Sequence, residues 1–202
     1  MEEFKNHLCI VFALEHYNPL NMIRALGEQG IAPVYISVKR RYQCACKSKY
    51  ISKLHQVDSV EEGYNLLMNE YGNFNANNLP YLFFSDDRSI GYFDNRYDEW
   101  KDKFVSYNAG KAGRINEFLD KYNVQQLAKK HGLNILDSYV IDKDSKLPVN
   151  LWYPVITKDI SPNSGNWKSD VFICKDEKEL QEAIWHIASP QIMIQHLSLI
   201  HI

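Results

Sequence analysis

The run Leu8-Cys9-Ile10-Val11-Phe12-Ala13-Leu14, followed by Glu15-His16-Tyr17-Asn18-Pro19-Leu20 and closing on Pro33-Val34-Tyr35-Ile36-Ser37-Val38, decides the fold of the first half of the chain. An unbroken apolar run of this length is expected of a strand covered on both faces. Asn18-Pro19 predicts a helix start, with Asn18 as N-cap and Pro19 at the first helical position, where its missing N–H costs nothing. Leu20, Ile23 and Leu26 form the apolar stripe of that helix, and Gly30 suits a left-handed residue at its end. Pro33 to Val38 is the next strand. Strand, helix and strand within about 30 residues make a βαβ unit, which implies a parallel sheet with a right-handed crossover.

Beyond this unit the same alternation continues. A weaker strand is expected at Leu54 to Val57. Ser59-Val60-Glu61-Glu62 has capping-box spacing, and Val60, Tyr64, Leu67 and Tyr71 fall on one helical face. Leu79 to Phe84 reads as another buried strand, with Ser85-Asp86-Asp87 at its carboxyl end, the edge where open α/β sheets collect ligands. Residues 1–104 therefore read as one doubly wound α/β domain. Gly110 and Gly113 punctuate a linker, and residues 105–132 comprise it and a helix capped by Asp120 and closed by Gly132. Strands then dominate: Ile135 to Ile141, Tyr153 to Lys158, Trp167 to Cys174, and one beginning at Ile192-Met193-Ile194. Asp176 and Glu179 cap a helix carrying Leu180, Ala183, Ile184 and Ile187. Residues 133–196 are an α+β module, different in kind from the first.

The 202 residues are 45% apolar and 24% charged, with a formal charge of −2. That composition fits a soluble globular protein and offers no bulk attraction for nucleic acid or an acidic membrane. Basic residues gather between Lys39 and Lys53, where a solvated face or a local anion site is the better reading than a nucleic-acid groove. The N-terminus is acidic where a signal peptide needs positive charge, and no segment approaches a membrane-spanning length. The four cysteines have no zinc spacing, so reduced thiols in a cytoplasmic protein are expected. Seven scattered histidines, the absence of G-x-S-x-G and a glycine-poor turn after the first strand speak against zinc, serine-nucleophile and dinucleotide chemistry. Asp86-Asp87 lacks the one-residue gap that lets two carboxylates share an ion, and a structural or substrate-edge role is expected.

Two lysines stand where anions bind. Lys121 lies in the first turn of a helix, whose free N–H groups and dipole favour phosphate. Lys158 leaves an apolar strand into a loop of Ser161, Asn163, Ser164, Gly165 and Asn166, whose backbone N–H groups can cradle phosphate. Either lysine alone reads better as a solvated surface residue.

Taken in order, Asp120-Lys121, the helix ending Ala128-Lys129-Lys130-His131-Gly132-Leu133, Tyr153-Pro154-Val155-Ile156-Thr157-Lys158, Trp167-Lys168, the helix Glu177 to Ile187 and Ile192-Met193-Ile194-Gln195 resemble the ATP-grasp signature. The first domain resembles the small pre-ATP-grasp domain of carboxylate–amine ligases, through Asn18-Pro19-Leu20 to Leu26-Gly27 and Leu79 to Asp87. The resemblance covers residues 8–196. It implies an α/β pre-ATP-grasp domain followed by an incomplete α+β ATP-grasp domain. It further implies ATP phosphates contacted by Lys121 and Lys158, an adenine pocket lined by Ile156, and a lid formed by Ser161, Ser164 and Gly165. Lys168 would be a third phosphate contact, and Gln195 and His196 would read the adenine edge. The implied reaction makes an acyl phosphate from a small carboxylate and ATP, for attack by an amine or similar nucleophile; a homo-oligomer is compatible with it. The sequence departs from the family where Lys158 is followed by Asp159 rather than proline, and where the loop holds a single glycine.

Leu197-Ser198-Leu199-Ile200-His201-Ile202 is what CTG TCT CTT ATA CAC ATC would encode, the end of a transposon adapter used in library preparation. Residues 197–202 are therefore expected to be an artificial tail on a truncated chain. The magnesium ligands that the resemblance implies are then expected in a missing C-terminal part, and the 202-residue chain alone is expected to show no ligase turnover. Two rival readings are a non-catalytic nucleotide-binding module and a glycosyltransferase-like enzyme taking a nucleotide sugar.

Overall fold

The computed structural model describes residues 7–41, 43–160 and 170–197. The chain divides into two units, Met1–Asn116 and Glu117–Ile202. The first therefore reaches beyond the boundary at 104 expected from sequence. Val105 accounts for part of the extension: it forms a parallel bridge with Tyr81, and its backbone bonds Leu82 and Pro80.

In the first unit, β1 (Cys9–Leu14), β2 (Val34–Val38), β3 (Lys53–Val57) and β4 (Tyr81–Phe84) form one parallel sheet in the order β3-β2-β1-β4. The central strand β1 is buried from Cys9 to Ala13, which is why its sequence is continuously apolar rather than alternating. Helices cover both faces. On one, α1 (Tyr17–Glu28) packs Ile23 against Val11, Ala13 and Tyr35. On the other, Phe12 and Phe84 meet Phe93 of α3 (Asp87–Asp94), and Gly63 of α2 (Val60–Tyr71) lies so close to Phe12 that a Cβ would stand 2.7 Å from its ring.

Most expected caps are present. Ser59 accepts from the Glu62 N–H at the start of α2, and Gly30 takes a φ of 78° just past α1. The start of α1 is a correction: its N-cap is His16, not Asn18, so Pro19 is the third helical residue. The shift costs nothing, because the first four N–H groups of a helix lack intrahelical acceptors and proline is tolerated throughout that turn. Asp86 has a structural role. One of its oxygens accepts from Ser89 N–H as the cap of α3, and the other accepts from Leu14 N–H and the Ser89 hydroxyl. Helices α3, α4 (Tyr97–Trp100) and α5 (Arg114–Leu119) occupy stretches in which the sequence predicted none.

In the second unit α6 (Lys121–Lys130) precedes an antiparallel sheet. Its strands are β5 (Ser138–Asp142), β6 (Val155–Asp159), β7 (Ile173–Cys174) and β8 (Gln191–His196), in the order β5-β8-β6-β7. One sheet face carries Ile141, Val155, Ile192 and Ile194 against Leu180, Ala183 and Ile187 on and just after α7 (Glu177–His186). No residue of α6 is buried.

Candidate functional site

Strand register sorts the sequence-predicted residues by face, because directly paired residues project to the same side of a sheet. Ile156 pairs with Gln195 and Lys158 with Met193, and across the other edge of β8 Gln195 pairs with Ser138 and Met193 with Val140. These residues share the face opposite α7. Val155 and His196 pair on the α7 face. The structure therefore brings Ile156, Lys158 and Gln195 together and sends the His196 side chain to the other side.

His196 is buried there, stacked on Trp152 with ring centroids 3.9 Å apart, its Nδ1 2.7 Å from the Trp152 carbonyl. A carbonyl can only accept, so Nδ1 carries a proton, and the buried Nε2 has no hydrogen-bond partner among the described residues. That side chain does not reach the face holding Lys158; of His196, only the backbone runs beside it.

Lys158 is half-buried, and its Nζ donates to Gln195 Oε1 at 2.8 Å. A neutral amide oxygen does not balance an ammonium. Burial, and then the charge of Lys121, hold the Lys158 pKa below the usual lysine value. The two lysines lie about 37 residues apart in sequence, and they are close enough in space to repel. Two features fix this geometry. Asp120 caps α6 by accepting from Asn123 N–H at 2.8 Å, and the Lys121 N–H donates to the Ile160 carbonyl at 3.0 Å. The first turn of α6 is thereby tied to the end of the strand that carries Lys158.

Register also adds a residue that sequence reading missed. Ile173 of β7 pairs with Ile156, and it is 57% exposed. Ile156 and Ile173 make an apolar floor beside a paired amide and lysine, which suits a flat, partly polar ring system. Its only sequence signal is an apolar residue on a short edge strand, and such residues are common on protein surfaces.

A cleft of about 400 Å³ opens beside Lys121, with Asp120, Tyr122, Ser138, Val140, Ile160 and Gln191 among its walls. It holds no cation among its described walls and adjoins the lysine pair rather than enclosing it. Ser161, Ser164, Gly165 and Lys168 lie outside the described residues. Among the described residues no group of three or more His, Cys, Asp or Glu could hold a metal ion, and no helix is long and apolar enough to cross a membrane.

No protein-family model matches the sequence, and no curated protein matches it. Solved structures do. The L-amino acid ligase of Bacillus licheniformis superposes with a TM-score of 0.67 at 11% identity, over 96% of this chain and 45% of that one. The D-alanine–D-alanine ligase of Bacillus anthracis gives 0.57 at 13%, over 95% and 57%. The N5-carboxyaminoimidazole synthetase of Staphylococcus aureus, solved with ADP, gives 0.60 at 13%, over 96% and 48%. The chain spans about half the length of the structures it matches, and its fold is that of the ATP-grasp carboxylate–amine ligases.

Proposed function

We propose that this chain is the N-terminal, nucleotide-holding part of an ATP-dependent ligase that activates a small carboxylate as an acyl phosphate for attack by an amine. The observation that carries the reading is the Lys121–Lys158 pair. Lys158, half-buried against a neutral oxygen, shares a sheet face with Ile156, Ile173 and Gln195, and the bond from Lys121 N–H to the Ile160 carbonyl ties the start of α6 to the end of the same strand, where the charge of Lys121 bears on Lys158. An unbalanced pair of this kind gains most when a polyanion arrives. The ADP complex of a structural neighbour supports a nucleotide as that polyanion.

In this reading Ile156 and Ile173 take the adenine faces. Gln195, released from Lys158, offers its amide to the ring edge. Lys121 and Lys158 neutralise the phosphates while a carboxylate oxygen attacks the γ-phosphorus, and ADP departs. The amine then attacks the acyl carbon and phosphate leaves. Such a transfer depends on positioning and charge neutralisation more than on covalent chemistry by the protein. Magnesium is expected of such a reaction; among the described residues no group of three or more His, Cys, Asp or Glu could hold it.

The test is ATP binding to the 202-residue chain by calorimetry. Lys121→Ala and Lys158→Ala should each weaken ATP at least about tenfold, the equivalent of losing one charge-assisted contact. If both variants bind ATP as the parent does, the assignment fails. If ATP binds through both lysines but a protein of the ligases' full length makes no acyl phosphate from any carboxylate, a nucleotide-sensing module replaces the ligase.

A further inference from the structure

Helix α6 carries Lys121, yet none of its residues is buried. Val124 and Leu127, which an ordinary amphipathic helix would bury, are 43% and 39% exposed. The half-buried positions are Lys121, Gln125 and Ala128, spaced four and three residues apart and therefore on one face of the helix. That face is turned to the protein, and its two polar members set how the helix lies.

Hydrophobic packing does not fix such a helix, so its hydrogen bonds carry that role. Among the described residues two of them tie α6 to the strands. The Lys121 N–H donates to the Ile160 carbonyl at 3.0 Å, just past β6. One turn on, the Gln125 side-chain carbonyl accepts from the Ser138 hydroxyl of β5. Four residues of helix separate the two ties by about 6 Å along the axis. One tie alone is a pivot about which the helix can swing; the second sets its direction.

Ser138 also begins a polar row. It pairs with Gln195 across β5 and β8, and Gln195 accepts from Lys158 Nζ at 2.8 Å. Gln125, Ser138, Gln195 and Lys158 therefore follow one another across the face opposite α7. The row starts on the helix that carries Lys121 and ends on Lys158, the lysine whose charge Lys121 disfavours.

We propose that Gln125 and Ser138 are positioning residues of the nucleotide site, whose bond holds α6 where the Lys121 and Lys158 ammonium groups meet the same run of phosphates. This rests on the nucleotide reading of the lysine pair. Neither residue touches the phosphates; both act through Lys121. Their bond is neutral and partly exposed, so its loss strands no buried charge and leaves the core beneath the sheet intact. What changes is the freedom of Lys121 to move away from Lys158, which two like charges favour. In the free chain that repulsion works against the tie, and a polyphosphate between the lysines reverses it.

The test reads the lysine pair directly. With lysine isotopically labelled at Cε, the Lys158 signal is identified by its loss in Lys158→Met and titrated by NMR without nucleotide. After burial, Lys121 is the group that lowers the Lys158 pKa. Asp120 opens the same helix, and Asp159 pairs with Ile192 on the α7 face. Ser138→Ala and Gln125→Ala should each raise the Lys158 pKa toward the ordinary lysine value, as Lys121→Ala should. In the Lys121→Ala background Ser138→Ala should add nothing, because the tie then has no charge to place. Ser138→Thr keeps the hydroxyl on a residue that strands favour and should behave as the parent. By calorimetry the two alanine variants should weaken ATP about threefold to tenfold, and Ser138→Thr should not. A residue that only supported the sheet would lower stability without moving the Lys158 titration. The proposal is overturned if Ser138→Ala and Gln125→Ala leave that titration where the parent has it. It is overturned equally if Ser138→Ala shifts it by the same amount with Lys121 present or replaced by alanine. If ATP binding ignores both lysines, the nucleotide reading fails, and the titration still decides whether the tie sets the pair.

Discussion

At the scale of single residues, Lys158 is placed against its own comfort. Its pKa is lowered by burial first and by Lys121 second. Neutral solution forces it to carry a charge that folding disfavours. A lysine whose pKa is lower folded than unfolded binds its proton more tightly when unfolded, so below the folded value it subtracts from stability. That loss is relieved as pH rises from the folded value toward the ordinary lysine range near about 10.4. Lys158→Met should therefore stabilise the nucleotide-free chain at pH 7, by up to about 1 kcal/mol in chemical denaturation. It should also abolish most ATP binding. In the parent, ATP affinity should fall at a pH below that at which an ordinary lysine deprotonates, and bound ATP should raise the Lys158 pKa. A variant that is less stable than the parent at pH 7 would show that the ammonium is satisfied without a ligand. Lys121 and Lys158 were legible in the sequence because a helix start and a strand end are local features. Glu15 was not: an acidic residue after an apolar run reads as the end of a strand, and only the fold shows that Tyr35, Ser37 and the turn at Cys44 to Cys46 converge on it.

At the scale of elements, what could be read depended on whether an element's signal was local. Strands β1 and β2 declare themselves by composition, and α2 by its cap and stripe. Helix α3 does not, because its eight residues are mostly buried on account of the aromatic cluster they join, and its cap Asp86 also looks like an active-site carboxylate. Strand alternation alone puts Gln195 and His196 on opposite faces, but which of them shares a face with Lys158 needed the register of β6 against β8. Helix α6 is the element on which the nucleotide reading most depends. None of its residues is buried, so its first turn is held by the Asp120 cap and by the bond from Lys121 N–H to Ile160. Asp120→Ala should cost about 1 kcal/mol at that turn. It should weaken ATP even though it removes a negative charge next to the phosphate site. Asp120→Asn keeps a capping oxygen without the charge and should bind ATP at least as tightly as the parent. Calorimetry on the three proteins separates the effects: an alanine variant that binds like the parent would take the first turn of α6 out of the site.

At the scale of the whole molecule, the division into two units has a thermodynamic consequence. Each unit has a separate core: Phe12, Tyr35, Phe93 and Trp100 are fully buried in the first, and Leu180, Ile187, Ile192 and Val155 in the second. Cores that share no side chain are cut by different mutations, and sites without common partners behave additively. The expectation is that the units open as separate cooperative blocks, the second at lower free energy, since α6 adds no buried side chain to it. Leu180→Ala removes a side chain at 0% exposure from beneath the second sheet and should cost about 2–5 kcal/mol. Hydrogen exchange read by mass spectrometry should then show protection lost across β5, β6, β8 and α7, with β1, β2 and α2 unchanged. Phe93→Ala should do the reverse. Equal loss in both units from either substitution would mean that the chain unfolds as one block. The phosphates of ATP should restore protection in the Leu180→Ala chain beginning at Lys121 and Lys158, because a ligand stabilises the unit that binds it.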